Sequence, residues 1–474
     1  MNELTMELDG TSRTPLYEQI YNYIKGDIQC GKIEARQKLP STRALASFLQ
    51  VSRSTVDLAY EQLLSEGYIE SAPYRGYFVC EIDALCRSNP SGQVQQVKEP
   101  KKEAESYRYD FSPNGIDLAH FPFNTWRKIT RNTLIDDKKE MFQLGDPRGD
   151  ESFREALCEY LYQSRGVKCS PEQVIIGAGN DYLLMLLSRF LGTDYLVAME
   201  NPTYKQAYRI FESMGFGVTT VNMDKSGMDV QKLQESRAQI AYVMPSHQYP
   251  LGVVMPMKRR MELLEWADGG DSRYIIEDDY DSELRLGGKP FPTLQSIDVS
   301  DKVIYMNTFT KTLASTVRIS YMVLPQTLAE KFYRELSFYS CTVSNFEQYT
   351  LAEFIENGSF EKHINRLRNY YQNKRDLILQ ALEKKPLGDY VTIEEEEAGV
   401  HFLMHLCTDQ KEEKIVTQAK SRGVKLKPLS GYYADTAEAA KQENTYVMNY
   451  SSIDPAAMER AAGVLLHILQ IPGR

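Results

Sequence analysis

Five short apolar runs in the second part of the chain are each followed, directly or after two residues, by a polar motif. Each run has the length of a buried β-strand, and helical patterns separate one run from the next. This alternation predicts an α/β fold with a mostly parallel sheet, in which ligands bind beyond the carboxyl ends of the strands. The runs are 173–176, 195–198, 241–244, 274–276 and 303–306, and the motifs begin at Gly177, Asn201, Pro245, Glu277 and Asn307. A ligand site is therefore expected where these motifs meet.

The motif after the last run contains a lysine and, seven residues later, an arginine. Lys311 directly follows a buried strand, and partial burial lowers the pKa of an amine and frees it to attack a carbonyl. The two hydroxyls beside Lys311, together with Arg318, suit a phosphate, because a guanidinium supplies planar, charge-assisted donors. A carbonyl-reactive lysine near a phosphate anchor describes a site for pyridoxal 5'-phosphate held as a Schiff base. The alternative is a surface lysine and arginine on a polar loop.

The other motifs supply what the same cofactor needs. The glycine-containing motif at 177–180 opens a helix whose backbone N–H groups can bind phosphate. A carboxylate facing the pyridine nitrogen keeps that nitrogen protonated, and either Asp278 or Asp279 fits this role. Tyr280 is placed to donate to the ring oxygen, and Tyr204 to stack on the ring. Each feature taken alone also has a structural explanation as a turn, a solvated strand end or loop packing.

The first 80 residues show a different pattern, with helical periodicity followed by two short strands. Helices are predicted from residue 16 to about 30, at 42–49 and at 53–65, and strands at 67–70 and 76–79. Ser41 and Ser52 are placed as N-caps of the second and third helices. This order predicts a winged helix-turn-helix. Because the module holds more acidic than basic side chains, a small protein-interaction module is the alternative.

Three arginines of this module are candidates for contact with DNA. Arg53 lies in the first turn of the third helix, where a recognition helix meets base edges, and arginine can bind guanine. The hydroxyls of Ser54 and Thr55 and the helix N-terminus can hold phosphate. Arg43 on the second helix and Arg75 at the tip of the wing are candidates for the backbone or the minor groove. Since the whole chain has a net charge of −10, DNA contact must come from such a local patch.

The module resembles the DNA-binding domain of GntR-type bacterial regulators. The resemblance rests on LPSTRALA from Leu39, VSRSTV from Val51, the Ala59-Tyr60 and Gly67-Tyr68 pairs, and GYFV from Gly76. It implies contact with double-stranded promoter DNA through Ser41, Arg43, Ser52, Arg53, Ser54, Thr55, Arg75 and Gly76. Asp57 departs from relatives that carry a basic, base-reading residue there, so their target sequences do not transfer.

The rest of the chain resembles the fold-type I aminotransferases, and the whole chain resembles the MocR subfamily of GntR regulators. The motifs that carry this are FPFNTW from Phe121, GDPRG from Gly145, PSHQYPLG from Pro245, EDDYDSE from Glu277 and FTK from Phe309. The resemblance implies a fold-type I pyridoxal-phosphate-dependent transferase domain that has become an effector sensor. It also implies a head-to-tail homodimer and a small amine, amino-acid or B6-vitamer effector.

By position, the resemblance assigns roles to the polar motifs. Lys311 forms the Schiff base, Asp278 faces the pyridine nitrogen and Tyr280 lies near the ring oxygen. The implied cofactor-binding set is Lys311, Asp278, Tyr280, Tyr204, Ala178, Gly179, Asn180, Thr308, Thr310 and Arg318. Tyr204 stacks on the ring, and the last six lie at the phosphate. His247 and Gln248 lie one residue away from an asparagine of plain aminotransferases, and their roles stay open.

Two departures bear on catalysis. Many aminotransferases bind the substrate carboxylate with an arginine near the C-terminus, and the comparable segment here, 447–450, has none. Leu144 replaces a tyrosine with which a neighbouring subunit would reach the phosphate. Loss of a bidentate clamp weakens binding of an ordinary α-amino acid. We therefore expect a different amine, or binding without full turnover.

The chain length of 474 residues predicts several domains. The expected boundaries are a DNA-binding domain at 1–81, a flexible linker at 82–108 and an aminotransferase-like domain at 109–474. Seven scattered cysteines without a CxxC pair indicate a reduced, cytoplasmic protein without a zinc site. His401 and His405 are interpreted as structural, and no metal is predicted. No membrane segment is predicted either.

Three functions fit these patterns. The first is a pyridoxal-phosphate-dependent transcriptional regulator that senses its effector at Lys311. The second is an active aminotransferase with an appended DNA-binding module, in which Lys311, Asp278 and Tyr280 are catalytic. The third keeps the winged helix and makes the large domain a cofactor-free scaffold. The first is preferred, since it uses both halves of the chain.

Overall fold

The computed structural model describes residues 14–81, 107–111, 120–135, 139–287, 291–395, 399–434, 436–451 and 453–469, together with Met6, 8–10 and Ser12. The chain forms two compact units, Met1–Ala104 and Glu105–Arg474. Of the predicted linker, residues 82–106 lie outside the described part of the chain.

The first unit contains three helices and an antiparallel hairpin, which confirms the predicted winged helix-turn-helix. Its elements are α1 (Leu16–Gln29), α2 (Thr42–Leu49), α3 (Arg53–Ser65), β1 (Ile69–Ala72) and β2 (Gly76–Val79). The hydroxyls of Ser41 and Ser52 cap α2 and α3 by accepting hydrogen bonds from the N–H groups of Ala44 and Thr55, both at 3.2 Å. Apolar side chains from all three helices and both strands form the core.

The second unit alternates strands with helices, as predicted. Its helices are α4 (Phe123–Ile135), α5 (Glu151–Arg165), α6 (Asn180–Leu191), α7 (Lys205–Ser213), α8 (Val230–Glu235), α9 (Met257–Asp268), α10 (Leu294–Ile297), α11 (Gln326–Leu336), α12 (Asn345–Glu356), α13 (Ser359–Glu383), α14 (Glu412–Ser421), α15 (Thr436–Ala440) and α16 (Pro455–Ile468). Its strands are β3 (Tyr109–Asp110), β4 (Val174–Gly177), β5 (Leu196–Asn201), β6 (Gly217–Asp224), β7 (Gly227–Met228), β8 (Ile240–Val243), β9 (Tyr274–Asp278), β10 (Val303–Thr308), β11 (Ser320–Val323), β12 (Val391–Glu394), β13 (His401–Leu406), β14 (Val424–Lys425) and β15 (Thr445–Asn449).

Eight of these strands form one sheet in the order β4-β11-β10-β9-β8-β5-β6-β7. The pairs from β10 through β6 are parallel. Strand β11 runs antiparallel to both of its neighbours, so β4 has the same direction as β10. The five strands predicted from the apolar runs therefore end at the same edge. Strands β4, β8, β10 and β11 are buried along their whole length, because helices cover both faces of the sheet.

A smaller layer follows the large sheet. Strands β12, β13 and β15 form an antiparallel sheet, which shares one apolar core with α13, α14 and α16. Strands β3 and β14 pair in parallel and add to the same core. Throughout the described residues, no helix is both long enough and apolar enough to span a bilayer.

Candidate functional site

A cavity of about 270 Å³ lies beyond the carboxyl ends of the central parallel strands. Eight of the ten predicted cofactor-binding residues line it, namely Asn180, Tyr204, Asp278, Tyr280, Thr308, Thr310, Lys311 and Arg318. The other two, Ala178 and Gly179, contact Arg318. Strand direction brings these residues together, since each belongs to the motif that follows its strand. The residues that line the cavity without having been predicted are Asp181, Gln206, Met244, Tyr249 and Ser315.

One end of the cavity is built for an anion. The Arg318 guanidinium donates to the carbonyl of Ala178 at 3.1 Å and lies 3.5 Å from an Asp181 carboxylate oxygen. Gly179 has a φ of +97°, and a Cβ there would lie 2.7 Å from the Arg318 Cζ, so only glycine fits. This glycine is also the N-cap of α6, whose N–H groups and dipole favour a phosphate.

The hydroxyls of Thr308 and Thr310 lie at the same cavity. Their Oγ1 atoms are 2.8 Å apart, and the Ser320 hydroxyl donates to Thr308 Oγ1 at 2.8 Å. The Thr310 backbone N–H also donates to Thr308 Oγ1. Because Ser320 lies on the reversed strand β11, that strand helps to position the hydroxyl pair.

Asp278 is the carboxylate that faces the cavity. It lies at the end of β9 and accepts hydrogen bonds from the Tyr242 hydroxyl and, at 3.4 Å, from the Asn180 side chain. Burial raises the pKa of Asp278 to about 7, although the Tyr242 hydrogen bond opposes the shift. A carboxyl group with this pKa can share a proton with a basic ring nitrogen.

Asp279, the other candidate for the pyridine nitrogen, is held by contacts away from the cavity. The Arg165 guanidinium grips it with two hydrogen bonds, at 2.9 and 3.0 Å, and the hydroxyls of Tyr305 and Ser282 donate to it. Burial alone would raise the pKa of Asp279, but the Arg165 charge and these donors outweigh it and hold the pKa below its ordinary value. Asp279 therefore anchors the strand end, whereas Asp278 faces the cavity.

Lys311 follows β10 and lines the same cavity. Burial lowers the pKa of its amine, and the nearby Asp281 charge opposes that shift. The direction is the one needed for a nucleophilic amine at neutral pH. The predicted chemistry of Lys311 therefore has a physical basis in its surroundings.

One tyrosine that the sequence did not single out, Tyr249, extends the cavity wall. The rings of Tyr204 and Tyr249 stand perpendicular with centroids 5.9 Å apart, and the Tyr249 hydroxyl lies 2.6 Å from that of Tyr432. Tyr249 belongs to the same motif as His247 and Gln248, and it is this tyrosine that lines the cavity. The only signal in the sequence was its position directly before Pro250.

The structure separates His247 from Gln248. The Gln248 amide donates to the carbonyl of Pro202 at 3.1 Å and accepts from the N–H of Leu251 at 3.0 Å, so it fixes two loops. His247 Nδ1 instead lies 2.8 Å from an Asp281 carboxylate oxygen and 3.2 Å from the Tyr280 hydroxyl.

The two C-terminal histidines have different surroundings. The His401 ring packs 4.6 Å from that of His247, and its Nε2 lies 3.3 Å from the carbonyl oxygen of Pro250. His405 is bonded to Thr445 at 3.1 Å. Donor atoms of His247, Asp281 and His401 lie within 4.8 Å of one another, and within this group hydrogen bonds join His247 to Asp281 and His401 to the carbonyl of Pro250.

In the first unit, the predicted DNA-contact residues lie at the starts of α2 and α3 and in the hairpin, and all but the half-buried Thr55 and Gly76 are exposed. Arg43 and Arg75 are exposed, and the Arg53 side chain is 69% exposed and lies 3.5 Å from Asp57 one helical turn later. The Ser52 hydroxyl, besides capping α3, lies 2.8 Å from that of Ser54 and 2.7 Å from that of Thr55.

Gly76 at the start of β2 has a conformational role. Its φ is +101°, which favours glycine, and a Cβ there would lie 3.3 Å from Lys38. Ser41, Ser52 and Gly76 thus each have a structural function in the unit, whatever their contact with DNA.

Comparison with known proteins finds two families, one matching the first unit and one matching the second. Residues 16–79 match the family of bacterial regulatory proteins, gntR family, and residues 110–463 match aminotransferase class I and II. The chain is 42% identical over 434 residues to the HTH-type transcriptional regulator YdeL of Bacillus subtilis, covering 91% of this chain and 92% of that one. It is 32% identical over 471 residues to the probable rhizopine catabolism regulatory protein MocR of Rhizobium meliloti, covering 97% and 94%.

The chain belongs to the MocR-type GntR regulators. It is also 29% identical over 457 residues to the pyridoxine biosynthesis regulator PdxR of Corynebacterium glutamicum, covering 95% of each chain. As a member of this family, it is a DNA-binding transcriptional regulator with an aminotransferase-like domain.

Solved structures support the fold of this regulator's large domain. Kynurenine aminotransferase of Pyrococcus horikoshii, solved with PMP, has a TM-score of 0.67 and 27% identity, covering 78% of this chain and 91% of that one. An archaeal alanine:glyoxylate aminotransferase has a TM-score of 0.68 at 24% identity, covering 78% and 92%. The fold and the lining of the cavity both support pyridoxal 5'-phosphate as the cofactor of this domain.

Proposed function

We propose that this MocR-type regulator senses a small amine, an amino acid or a B6 vitamer through pyridoxal 5'-phosphate bound covalently at Lys311. The observation that carries the proposal is the meeting of Lys311 and Asp278 in one cavity of a chain that begins with a GntR domain. The cofactor supplies an aldehyde that condenses with primary amines. An effector amine would take the place of Lys311 and change what the large domain does to the DNA-binding unit.

The side chains around Lys311 divide the work of holding the cofactor. Asp278, whose pKa burial raises to about 7, would hold a proton at the pyridine nitrogen. Tyr280 would donate to the ring oxygen, and Tyr204 would cover the ring. The phosphate would be bound by the N-terminus of α6 with Gly179, by the hydroxyls of Thr308 and Thr310, and by Arg318.

For DNA, the exposed cations of the first unit would provide the contacts. Arg53, at the start of α3, would bind a base edge, while Arg43 and Arg75 would contact phosphates or the minor groove. Ser41, Ser52, Ser54, Thr55 and Gly76 would contribute hydroxyl or backbone contacts around them.

An exposed apolar patch supports the proposed homodimer. Phe142, Leu144 and Phe338 are 75%, 87% and 75% exposed, and Tyr339 is stacked on Phe338. We take these side chains together as the apolar patch that a second chain would cover, since exposed apolar surface marks interaction sites. The segment after Tyr339 continues to Thr342, whose hydroxyl accepts from the Ala178 N–H at the phosphate end of the cavity. A second copy of the chain covering this patch, in the head-to-tail arrangement, would lie next to the cofactor.

Covalent attachment is tested with Lys311→Ala. After pyridoxal phosphate is added and reduced with borohydride, wild-type protein should gain the mass of the reduced cofactor at Lys311, and the variant should gain none. The matched control is Lys302→Ala, because Lys302 lies before the same strand and donates to the carbonyl of Asp271. If Lys311→Ala binds the cofactor as wild type does, the large domain does not use this lysine. Failure of wild type to bind would favour a cofactor-free scaffold.

The second candidate is an active aminotransferase. It is favoured by the presence of all three predicted catalytic residues, Lys311, Asp278 and Tyr280, at one cavity. Against it, the segment at 447–450 lacks an arginine, and its Tyr450 hydroxyl donates to the carbonyl of Gly399. Incubation with amino donors and a keto acid separates the two functions. Multiple turnovers would establish the enzyme, whereas a spectral change that stops after one equivalent supports the sensor.

A further inference from the structure

His247 and Asp281 form a buried pair beside Tyr280. Their side chains are 3% and 2% exposed, and Nδ1 of His247 lies 2.8 Å from Oδ2 of Asp281. The Tyr280 hydroxyl lies 3.2 Å from the same nitrogen. Tyr280 lines the cavity, but His247 does not, so the pair reaches the cavity through the tyrosine.

The proton on this nitrogen follows from its partners. A carboxylate only accepts hydrogen bonds, so Nδ1 of His247 carries the hydrogen that joins it to Asp281. Because Nδ1 already carries a hydrogen, the Tyr280 hydroxyl cannot donate to it. The hydrogen of the Tyr280 hydroxyl therefore remains available for another acceptor. Asp281 also competes for that hydrogen, since burial first and then the interaction with Asp281 raise the pKa of the Tyr280 phenol. His247 engages Oδ2 of Asp281, which is one of the two oxygens with which the Tyr280 hydroxyl could pair.

The surrounding backbone holds the His247 ring in place. Gly399 has a φ of +67°, and a Cβ there would lie 2.6 Å from His247 Nδ1, so the chain closes directly over the pair. The His401 ring packs against the His247 ring with centroids 4.6 Å apart, and its Nε2 is hydrogen-bonded to the carbonyl of Pro250. Nε2 of His247 is buried and has no hydrogen-bond partner within the described ranges. Packing against Gly399 and His401 and the bond to Asp281 together fix the ring.

We propose that His247, oriented by Asp281, is a positioning residue that keeps the Tyr280 hydroxyl directed into the cavity. It thereby sets the pH at which the bound cofactor loses a proton. This inference rests on the proposed function, in which the cofactor is attached to Lys311 beside Tyr280.

The direction of the effect follows from hydrogen bonding to the ionised form. A hydroxyl that donates to the ring oxygen favours the state with more negative charge on that oxygen, so it lowers the pH of deprotonation. Loss of the donor raises that pH. The charged and titratable groups that surround His247 are Asp281, Tyr280, His401, Lys311, Glu395, Arg165 and Arg285.

The test replaces His247 by residues whose side-chain amide nitrogen occupies the position of either Nδ1 or Nε2 of the imidazole. In His247→Asn the amide takes the place of Nδ1 and can still donate to Asp281, whereas in His247→Gln it takes the place of Nε2. Cofactor absorbance is titrated against pH in the full-length protein. We expect His247→Gln and Tyr280→Phe to raise the midpoint by about one pH unit, a tenfold change in the proton dissociation constant. His247→Asn should stay within about 0.3 unit of wild type.

Two further variants exclude indirect effects. His405→Leu changes a histidine of the same strand as His401 that is bonded to Thr445, and it should leave the midpoint unchanged. The double variant His247→Gln/Tyr280→Phe should shift the midpoint no further than Tyr280→Phe alone, because both changes remove the same donor.

The outcomes are distinct. A shift in Tyr280→Phe without one in His247→Gln would overturn the inference, and so would equal shifts in His247→Asn and His247→Gln. If the Gln variant loses its near-UV circular dichroism, His247→Leu replaces it under the same criteria. Borohydride trapping of the cofactor at Lys311 in each variant shows that the proposed function stands even if the inference fails.

Discussion

The DNA-binding unit and the cofactor cavity place their functional side chains in opposite surroundings. Arg43, Arg53 and Arg75 are exposed to water, where salt screens their charge. Lys311 and Asp278 are enclosed in a cavity, and burial moves the pKa of both toward neutrality. The proposed DNA contacts therefore use charge that is available to any phosphate, whereas the proposed cofactor site depends on how a few buried groups shift one another's pKa. Substitutions in the two regions should differ in size accordingly.

The largest effect is expected from the buried ion pair behind the cavity. Arg165→Leu leaves the Asp279 charge buried without its partner, which should cost about 3–5 kcal/mol of unfolding free energy. Urea unfolding followed by tryptophan fluorescence measures it, because both tryptophans, Trp126 and Trp266, lie in the large unit. Arg334→Leu, which breaks an exposed pair, should cost less than about 1 kcal/mol. Equal costs would show that burial of the ion pair does not determine the size of the loss.

A pH-dependent effect comes next. Burial raises the pKa of Glu200 to about 8 from an ordinary value of 4.5. The folded protein then binds a proton that the unfolded chain has lost, so this stabilisation is complete below pH 4.5 and is lost as pH rises through 8. Glu200→Gln should remove the dependence, changing the difference in unfolding free energy by on the order of 3 kcal/mol between pH 5 and 8. The exposed Glu235→Gln is the control, and parallel curves would contradict the prediction.

Smaller losses are expected on the DNA side. Arg53→Ala should weaken operator binding by about 1–3 kcal/mol at fixed salt, since a guanidinium on a base edge is worth that much. Fluorescence anisotropy with a labelled operator measures the change. Lys32→Ala is the control in the same unit, because Lys32 is paired with Asp27. If Arg53→Ala lowers the salt dependence without altering base preference, Arg53 contacts phosphate rather than a base.

The smallest effect is expected at a helix cap. Ser52→Ala removes the hydroxyl that accepts from the Thr55 N–H, which should destabilise α3 by about 1 kcal/mol. Hydrogen exchange of the α3 amides in the full-length protein should accelerate accordingly. Ser52→Thr keeps an accepting hydroxyl and should behave like wild type. Unchanged exchange in Ser52→Ala would mean that packing alone holds this helix.

Local patterns were enough to predict the elements that carry the site. The apolar runs predicted strands β4, β5, β8, β9 and β10, and Ser41 and Ser52 predicted the starts of α2 and α3, because strand burial and helix capping depend on neighbouring residues. The same reasoning placed the polar motifs at the sheet edge. It did not predict β11 as a strand between β4 and β10. A four-residue apolar run indicates neither which strands it pairs with nor in which direction it runs.

Long-range pairing could not be predicted from the sequence. Asp278 and Asp279 are adjacent, and alternation along a strand says that they face opposite sides without saying which side holds the cavity. The difference is decided by Arg165, which lies 114 positions from Asp279. Tyr249 was missed for a related reason, because its place in the wall depends on Tyr204 and Tyr432 from distant segments.

Because the parallel strands end at one edge of the sheet, a small molecule bound there contacts segments that are far apart in the sequence. Arg318 and Ala178 are 140 positions apart and meet at a single hydrogen bond beside the cavity. A compound of only a few atoms that lodges there touches loops drawn from most of the length of the sheet. A displacement too small to disturb any one strand would therefore move several loops at once, which fits the proposed sensing of an effector in this cavity.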